Sequence, residues 1–200
     1  MERHELEELH YIAPIANLES IISRGLLSHR RVSRLAAHQS IALADVQAKR
    51  AAKRVPGGRP LHEYVNLYIC ARNPMLYKRL AQRQNICVLR VSPAVLDIDD
   101  VVITDMNAAS DYVRFFPAPD GLNAVERDRV FAEYWTHPGD PFEYFRHSAE
   151  KCAEVLVPDR VDASNIRGAY VCNADVRETI DGIGVDIDVE VNRPIFFNQA

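Results

Sequence analysis

The sequence lacks the features that assign many proteins to a class directly. None of its apolar runs approaches the ~18–20 residues that a membrane-spanning helix needs, and its first residues, MERHELEELH, are too acidic and polar for a signal peptide. It also lacks the GxGxxG and GxxxxGK[ST] spacings of phosphate-binding loops, so Gly57-Gly58 predicts a simple turn. We therefore expect a cytoplasmic protein that is not associated with a membrane.

Motifs for metal binding and nucleophilic catalysis are absent as well. The seven histidines are scattered without an HExxH or similar pair, and GxSxG does not occur. The four cysteines stand singly inside apolar stretches with no CxxC spacing, which is typical of reduced core cysteines. They are Cys70, Cys87, Cys152 and Cys172. The sequence predicts neither a metal site nor a disulfide framework.

The composition is that of an ordinary globular domain with an uneven charge distribution. The chain has 200 residues, of which 48% are hydrophobic and 26% charged, and this indicates one domain over 1–200. The net charge is −4, but residues 24–90 contain 14 Lys or Arg and two acids, so this stretch carries +12 and the rest carries −16. Such asymmetry suits a polyanionic ligand, a nucleotide or a nucleic acid, although a solvated helix face would give the same pattern.

Hydrophobic patterns predict short helices and strands in mixed order. The stripe formed by Leu18, Ile21 and Ile22 predicts a helix that ends at Gly25. Further helices are expected at about 40–54, after 73 and before 152, with strands at 64–70, 85–91, 101–104, 152–157 and 166–172. Because regular βαβ alternation is absent, the order predicts an α+β fold with a split or mostly antiparallel sheet. Residues 173–200 are expected to form a peripheral C-terminal extension, in which the acidic stretch DGIGVDIDVEV, residues 181–191, forms a hairpin.

Glu154 stands in the strand-like segment CAEVLVP, where its neighbours favour burial. Strand alternation places Cys152, Glu154 and Leu156 on one face of that strand. An unpaired carboxylate in such surroundings costs several kcal/mol, so it needs a partner. Two interpretations follow. Glu154 is either an edge-strand residue that faces water or binds an arginine, or a catalytic carboxylate that faces a cleft.

The segment NLYICARNPMLYKR combines aromatic, flexible and basic side chains. Tyr68 and Tyr77 offer stacking surfaces, Met75 is flexible, and Arg72 supplies a cation beside the two basic residues that follow Tyr77. Nucleotide or base binding requires this combination of stacking surface and positive charge. The alternative is an ordinary turn between a strand and a helix with core aromatics.

Four segments occur in a specific order along the chain: HYIAPIANLESIISRGLLS, YVNLYICARNPMLY, TDMNAASDYVRF and KCAEVLVP. Together they resemble the DarT-type ADP-ribosyltransferases, bacterial toxins that transfer ADP-ribose from NAD to DNA bases. The similarity extends from about Leu9 to Cys172. It implies an ADP-ribosyltransferase-like fold, in which two small, mostly antiparallel sheets pack around an NAD cleft with flanking helices.

The resemblance implies two catalytic residues. Glu154 matches the family's catalytic glutamate, whose charge stabilises the oxocarbenium-like state formed when the nicotinamide–ribose bond breaks. The family's catalytic arginine, a clamp for the NAD phosphates, corresponds to Arg50 or Arg54, and Arg50 matches better by its spacing from the YVNLY strand. The residue two before Glu154 is Cys152 rather than Gln or Glu, so the pattern of arginine-modifying relatives is absent and a non-protein acceptor is expected.

The resemblance also implies the residues that bind NAD and the acceptor. Many relatives read Tyr-His-Ile-Thr where this chain reads His10-Tyr11-Ile12-Ala13, so either His10 or Tyr11 holds the NAD ribose, because adjacent strand residues face opposite ways. The expected cofactor-binding residues are His10, Tyr11, Ile12, Asn17, Arg50, Tyr68 and Tyr77. The expected nucleic-acid contacts are Arg72, Met75, Asn107, His137, Arg146 and His147. The last three belong to residues 135–149, which correspond to the family's substrate-recognition loop.

The resemblance therefore implies an NAD-dependent mono-ADP-ribosyltransferase that modifies a nucleobase, with NAD as co-substrate and no metal. Single-stranded DNA is the favoured acceptor, because a base nitrogen inside a duplex cannot be attacked without flipping or unpairing. The enzyme would be the toxin of a toxin–antitoxin system, with a macrodomain-type antitoxin as its partner. The alternatives are the same chemistry on RNA or guanine, and a non-catalytic nucleotide- or nucleic-acid-binding module on this fold.

Overall fold

A mostly antiparallel sheet is the framework of the fold, as seen in a computed structural model that describes residues 1–35, 39–40 and 43–198. The strands are β1 (Leu9–Pro14), β2 (Leu26–Leu27), β3 (Tyr64–Tyr68), β4 (Ile86–Val91), β5 (Val102–Thr104), β6 (Phe115–Pro117), β7 (Glu154–Pro158), β8 (Arg160–Val161), β9 (Ile166–Val171) and β10 (Val189–Val191). The α-helices are α1 (Leu18–Arg24), α2 (His29–Val32), α3 (Ala44–Ala52), α4 (Pro74–Tyr77), α5 (Arg127–Val130), α6 (Pro141–Glu150) and α7 (Ala174–Ile183). The helix predicted at about 40–54 is observed as α3, and its predicted residues 41 and 42 lie outside the described residues.

The strands form one split sheet and one small ribbon. Eight strands lie in the order β10-β9-β4-β1-β3-β7-β5-β6, and β2 pairs with β8 separately. Within the described residues every pair is antiparallel except β9 with β10. β1 pairs with β4 along its whole length but shares only the pair His10–Tyr68 with β3. The α+β prediction is confirmed, and the two expected sheets are halves of one sheet joined at that pair.

Alternation along β3 and β7 sorts their side chains onto two faces. Leu67 and Val155 belong to the main hydrophobic core. Tyr64 and Leu156 instead pack in a smaller cluster on the other face. Glu154 shares the face of Leu156, as the strand period predicts, so its carboxylate points away from the main core.

Local sequence signals set the helix ends. The side-chain oxygen of Asn73 accepts hydrogen bonds from the backbone amides of Met75 at 2.9 Å and Leu76 at 3.0 Å, and a proline occupies the first position of α4, as the sequence predicts. Gly25 ends α1 with a φ of 78°, and a Cβ there would lie 2.1 Å from the Val161 carbonyl oxygen. None of the helices within the described ranges is both long and apolar enough to cross a lipid bilayer.

The C-terminal segment differs from the predicted hairpin. Asn173 caps α7 by accepting a hydrogen bond from the Val176 amide at 3.0 Å, and Val176 and Ile180 are buried. β10 then pairs with β9 in parallel, and Phe196 is fully buried in the main core. The hairpin prediction was wrong because the helix α7, with Val176 and Ile180 buried four residues apart, takes up the start of this stretch and provides the crossover that a parallel neighbour needs.

The cysteines behave as core residues. All four are free and buried among the described residues. Burial raises the pKa of the Cys87 thiol and of the Cys152 thiol to about 12, so neither is a thiolate nucleophile at neutral pH. This agrees with the predicted reduced core cysteines.

A polar cluster lies on β1, β4 and β9, with Glu8 at its centre. The Glu8 carboxylate accepts hydrogen bonds from Arg90 Nε at 2.8 Å and Tyr170 Oη at 2.7 Å, and it lies 3.2 Å from His10 Nε2. Burial acts to raise the pKa of Glu8, but these three partners outweigh it and lower that pKa to about 2. Because the pKa is lower in the folded chain than in an unfolded one, the charged form of Glu8 stabilises the fold.

We expect this stabilisation to be complete above about pH 5 and to disappear as the pH falls toward 2, because Glu8 must then be protonated. Glu8→Gln should therefore lose less unfolding free energy between pH 6 and pH 3 than the parent, by on the order of 1–3 kcal/mol. Urea unfolding at pH 6, 4.5 and 3 measures this. Glu190→Gln is the matched control, since Glu190 is more exposed and lies 3.7 Å from the same Arg90. Parallel pH profiles for the parent and Glu8→Gln would contradict the prediction.

Candidate active site

A cleft opens where β1 and β3 separate, and α1, α2 and α3 complete its walls. Much of the predicted site lines this cleft, although the residues come from distant parts of the sequence. The predicted residues in its walls are Tyr11, Ile12, Asn17, Arg50, Tyr68, Met75 and Asn107. The split in the sheet is therefore what brings the candidate NAD residues together.

Glu154 is fully buried next to this cleft, and its carboxylate accepts three hydrogen bonds from two donor groups. Arg50 Nη1 donates to Oε2 at 2.9 Å and to Oε1 at 3.2 Å, and the Ala108 amide donates to Oε1 at 3.2 Å. Thr104 fixes the backbone, because its hydroxyl accepts from the Glu154 amide at 3.1 Å and donates to the Glu154 carbonyl at 3.3 Å. A cation and an amide compensate the buried negative charge, so the interpretation of Glu154 as a water-facing edge residue is wrong.

The structure distinguishes between the two candidate arginines. Arg50, on α3, is buried and contacts Glu154, and it also lines the cleft. Arg54 is exposed and donates to the Gly58 carbonyl oxygen at 3.1 Å. Arg50 lies in the last turn of α3, whereas Arg54 follows the end of that helix at Ala52, where the extended backbone at Lys53 leads the chain away from the carboxylate.

Three residues that line the cleft have buried polar atoms without a hydrogen-bond partner in the described structure, and their chemistry can be compared with that of NAD. Arg50 Nη2, Gln47 Oε1 and His62 Nε2 are buried and have no hydrogen-bond partner among the described residues, and all three residues line the cleft. Buried polar atoms are usually paired, so these three favour a polar ligand. A guanidinium donor suits a phosphate oxygen, and an amide oxygen suits a ribose hydroxyl. The residues therefore fit the pyrophosphate and riboses of NAD.

A buried tyrosine, Tyr68, and a partly buried one, Tyr11, lie near the Glu154–Arg50 pair. Tyr68 lies opposite Glu154 in the β3–β7 ladder, and burial, reinforced by the nearby Glu154 charge, raises its pKa well above the ordinary value. Burial also raises the pKa of Tyr11, which is on β1 and near Arg50. Both phenols therefore remain neutral at physiological pH and can donate a hydrogen bond to a ligand in the cleft.

A pair of histidines in the cleft wall was missed by the sequence analysis. The rings of His29 and His62 lie 4.2 Å apart between centroids, and both line the cleft. Burial lowers the pKa of His62, and the neighbouring His29 and Arg50 charges lower it further. His62 is thus neutral at pH 7 and can donate or accept one hydrogen bond. No local motif marks this pair, because α2 and the turn before β3 meet only in the folded chain.

Two of the expected cofactor-binding residues lie elsewhere. His10 points to the side of β1 opposite Tyr11, where it contacts Glu8 and its ring lies 6.4 Å from that of Tyr170. Strand alternation is the reason, since adjacent residues face opposite ways, and it assigns the cleft position to Tyr11. Tyr77, at the end of α4, turns outward from the cleft. The expectation that His10 and Tyr77 line the NAD cleft is therefore corrected.

Three of the residues expected to contact the acceptor, His137, Arg146 and His147, lie outside the cleft, on α6 and the loop before it. His137 Nε2 and His147 Nδ1 are 2.8 Å apart, and His147 Nε2 lies 2.9 Å from the Arg129 carbonyl oxygen. Burial lowers the pKa of His147. Arg146 is exposed on α6 and donates to Glu150 at 2.9 Å. These contacts show that His137 and His147 hold the segment before β7 together, whereas Arg146 projects into solvent.

The arrangement suits one kind of chemistry. A carboxylate beside a cleft stabilises positive charge that develops on a bound sugar, and a guanidinium beside it binds phosphate. Among the described residues, no three His, Cys, Asp or Glu side chains are grouped as metal ligands. The split sheet, the cleft and the buried carboxylate–guanidinium pair define an ADP-ribosyltransferase, a class of enzymes that takes ADP-ribose from NAD.

Comparison with known sequences identifies the family. Residues 10–197 match the family described as ssDNA thymidine ADP-ribosyltransferase, DarT. The chain belongs to this family, which confirms the resemblance and the enzyme class inferred from the sequence. The match also reaches beyond Cys172 and includes α7, β10 and the turn that follows them.

Two relatives carry the activity in their names. The chain is 32% identical to a DNA ADP-ribosyl transferase–DNA ADP-ribosyl glycohydrolase fusion protein of Thermosipho africanus, over 86% of this chain and 44% of the fusion. It is 31% identical to a DNA ADP-ribosyl transferase of Thermus aquaticus, over 76% of this chain and 68% of that protein. The chain thus spans less than half the length of the Thermosipho protein.

Solved structures confirm the predicted ADP-ribosyltransferase fold. Thermus sp. 2.9 DarT in complex with ADP-ribosylated ssDNA matches with a TM-score of 0.81 at 26% identity, covering 96% of this chain and 96% of that chain. The same Thermus protein in complex with NAD+ matches with a TM-score of 0.78 at 24% identity, covering 96% of this chain and 98% of that chain. The ligand of that Thermus complex, NAD+, is the co-substrate that the sequence analysis expects for this chain.

Proposed function

We propose that the protein transfers ADP-ribose from NAD to a thymine base in single-stranded DNA. The observation that carries the proposal is the buried Glu154–Arg50 pair, at 2.9 Å, beside the cleft at the sheet split. The family match supports the acceptor, since its members are described as ssDNA thymidine ADP-ribosyltransferases.

The reaction balances with these residues. The bond between the nicotinamide nitrogen and the ribose breaks, and nicotinamide leaves with the electron pair. Positive charge then develops on the ribose, and the Glu154 carboxylate stabilises it. A ring nitrogen of thymine attacks the ribose carbon, and Glu154 accepts the proton that this nitrogen loses. Arg50 binds the NAD phosphates and orients the ribose.

The other residues of the cleft bind NAD in this proposal. Of the two residues considered for the NAD ribose, Tyr11 lies in the cleft, and its neutral hydroxyl donates to the ribose. Ile12 and Tyr68 line the same wall. Asn17 accepts from the Gln39 amide at 3.2 Å and donates to the Gln39 carbonyl at 2.8 Å, so it anchors the chain at the cleft edge.

The acceptor strand approaches from the side of α4 and the segment before β7. Six residues expected to contact it are assigned to this side: Arg72, Met75, Asn107, His137, Arg146 and His147. Met75 and Asn107 line the cleft and contact the reacting base. Arg72 and Arg146 contact the strand outside the cleft, and His137 and His147 hold the segment that faces it. A single strand is required, because the base nitrogen must leave the helical stack to reach the ribose.

The biological setting follows from the fusion of transferase and glycohydrolase in the Thermosipho relative. We assign the protein as a toxin whose partner is a macrodomain-type antitoxin that removes the ADP-ribose. The four free thiols agree with a reducing compartment, and we place the protein in the cytoplasm.

The test is incubation of the purified protein with NAD and a panel of oligonucleotides, followed by mass spectrometry. The panel contains single-stranded DNA with and without thymine, its duplex, and RNA of matching sequence. We expect a gain of one ADP-ribose only on single-stranded DNA that contains thymine. An adduct on RNA or on guanine instead would assign a different acceptor. The absence of an adduct on any member, with folded protein and intact NAD, would favour a non-catalytic binding module.

A further inference from the structure

Three aromatic rings from distant segments meet beside α4. Tyr77 ends α4, Trp135 lies between α5 and α6, and Phe197 follows β10. The ring centroids are 5.9 Å apart for Tyr77–Trp135, 5.1 Å for Tyr77–Phe197 and 5.9 Å for Trp135–Phe197, with interplanar angles of 82°, 75° and 82°. Edge-to-face contacts of this kind are favourable, so the three rings, called here the aromatic triad, support one another.

A cation lies on the triad. The Arg72 guanidinium is 4.4 Å from the Phe197 ring centroid and 5.8 Å from that of Tyr134. It donates to the carbonyl oxygens of Glu133 and, at 3.3 Å, Pro194. In the part of the chain that the structure describes, no carboxylate lies within ion-pair distance of Arg72, and its positive charge is not neutralised.

A buried lysine, Lys151, packs against the Trp135 ring of the triad. Lys151 is almost fully buried, donates to the Val130 carbonyl oxygen at 2.8 Å, and lies 5.9 Å from the Trp135 ring centroid. Burial lowers its pKa. The ammonium therefore connects the end of α6 to the end of α5 and to Trp135.

One ring of the triad is presented to solvent. Tyr77 is 55% exposed, whereas Trp135 is only 8% exposed and acts as its backing. Tyr77 lies two residues after Met75, which lines the cleft, and the Asn73 cap fixes the short helix that holds both. Proteins that bind single-stranded nucleic acid use such an exposed aromatic ring to stack against a base and a nearby cation to contact the phosphate backbone.

We propose that Tyr77 stacks against a nucleobase of the acceptor strand outside the NAD cleft, and that Arg72 contacts the adjoining backbone phosphate. Trp135 and Phe197 are positioning residues that hold Tyr77 and Arg72. This inference rests on the proposed function, because it assumes an acceptor strand that passes α4. It gives the C-terminal segment a role, since Phe197 and the Pro194 carbonyl both support the stacking surface.

Trp135 provides the test, because it is the only tryptophan in the chain and lies in the triad. The probe is a thymine-containing single-stranded oligonucleotide, titrated without NAD while tryptophan emission is recorded. We expect the parent to show a saturable change in emission. Tyr77→Ala should weaken oligonucleotide affinity by about tenfold, and Tyr77→Phe should retain it. Phe197→Ala should also weaken it, through loss of support for Tyr77.

Tyr112→Ala is the matched control, since Tyr112 is an 85% exposed tyrosine outside the triad. The oligonucleotide affinity of this variant should equal that of the parent. The KM for NAD should stay unchanged in Tyr77→Ala, because Tyr77 lies outside the cleft, while the KM for the oligonucleotide rises. Thermal unfolding of each variant shows that the chain is folded. Equal affinities for the parent and folded Tyr77→Ala, or an equal loss in Tyr112→Ala, would overturn the inference.

The experiment separates this inference from the proposed function. Parent protein that modifies the oligonucleotide, together with an unaffected Tyr77→Ala, would overturn the stacking surface and leave the transfer activity standing. Parent protein that forms no adduct but binds the strand through Tyr77 would support the stacking surface and overturn the proposed transfer.

Discussion

Glu154→Gln is expected to abolish ADP-ribose transfer, with a loss of at least about 10³-fold in rate, while oligonucleotide affinity remains unchanged. The glutamine has the same shape but carries no charge, so the developing positive charge on the ribose is no longer stabilised. Arg50 then has only a neutral acceptor in a buried site, and the melting temperature should fall as well. Glu154→Ala removes the same charge and should be equally inactive.

Glu150→Gln is the control for this experiment. Glu150 is also a buried carboxylate with two arginine partners, Arg129 and Arg146, and it lies four residues before Glu154. We expect it to lower stability but to leave turnover within about threefold of the parent. Mass spectrometry of the oligonucleotide product and thermal unfolding supply both readouts. Full activity in Glu154→Gln, or equal inactivity in folded Glu150→Gln, would contradict the assignment of Glu154 as the catalytic carboxylate.

Arg50→Ala should give the second largest effect. It removes the proposed phosphate contact and leaves the Glu154 carboxylate buried without its cation, a loss that costs about 3–5 kcal/mol in comparable pairs. We expect the KM for NAD to rise and turnover to fall, together by about 10²–10³-fold in kcat/KM. Arg50→Lys keeps the charge but not the planar fork, so it should recover stability more than turnover.

Arg54→Ala is the matched control for Arg50. Arg54 is exposed, and its guanidinium contacts the Gly58 carbonyl oxygen, so its removal should leave kcat/KM for NAD within about twofold of the parent. Steady-state kinetics with NAD varied at a saturating oligonucleotide concentration measures both variants. A large loss in Arg54→Ala with little change in Arg50→Ala would reverse the assignment of the two arginines.

The position of Glu154 could be predicted from sequence because the constraint is local. A single acid in an apolar strand needs a buried partner, and strand alternation specifies its face. The helix at Asn73 could be predicted for the same reason, since its cap and proline lie side by side. Arg50 was preferred to Arg54 from spacing in the resemblance, and in the structure Arg50 is the one that contacts Glu154.

The remaining features depend on contacts that no short segment contains. His29 and His62 become neighbours only when α2 packs beside β3, and Phe197 reaches Tyr77 only after α7 and β10 form. The transposition of His10 and Tyr11 left the cleft residue undecided in the sequence. The structure resolves it, because Glu8, which lies two residues before His10, holds the histidine on the other face of the strand.

The buried Lys151 ammonium has a consequence for the entropy of acceptor binding. Opening the segment that carries Trp135, together with the end of α5, would remove the Trp135 ring and the Val130 carbonyl from this ammonium and leave it only the weak acceptor Cys70 Sγ at 3.6 Å, which is unfavourable for a buried charge. The segment is therefore ordered when the chain folds and not when the strand arrives. Stacking on Tyr77 then requires no loop to be immobilised, and more of the contact energy remains as affinity.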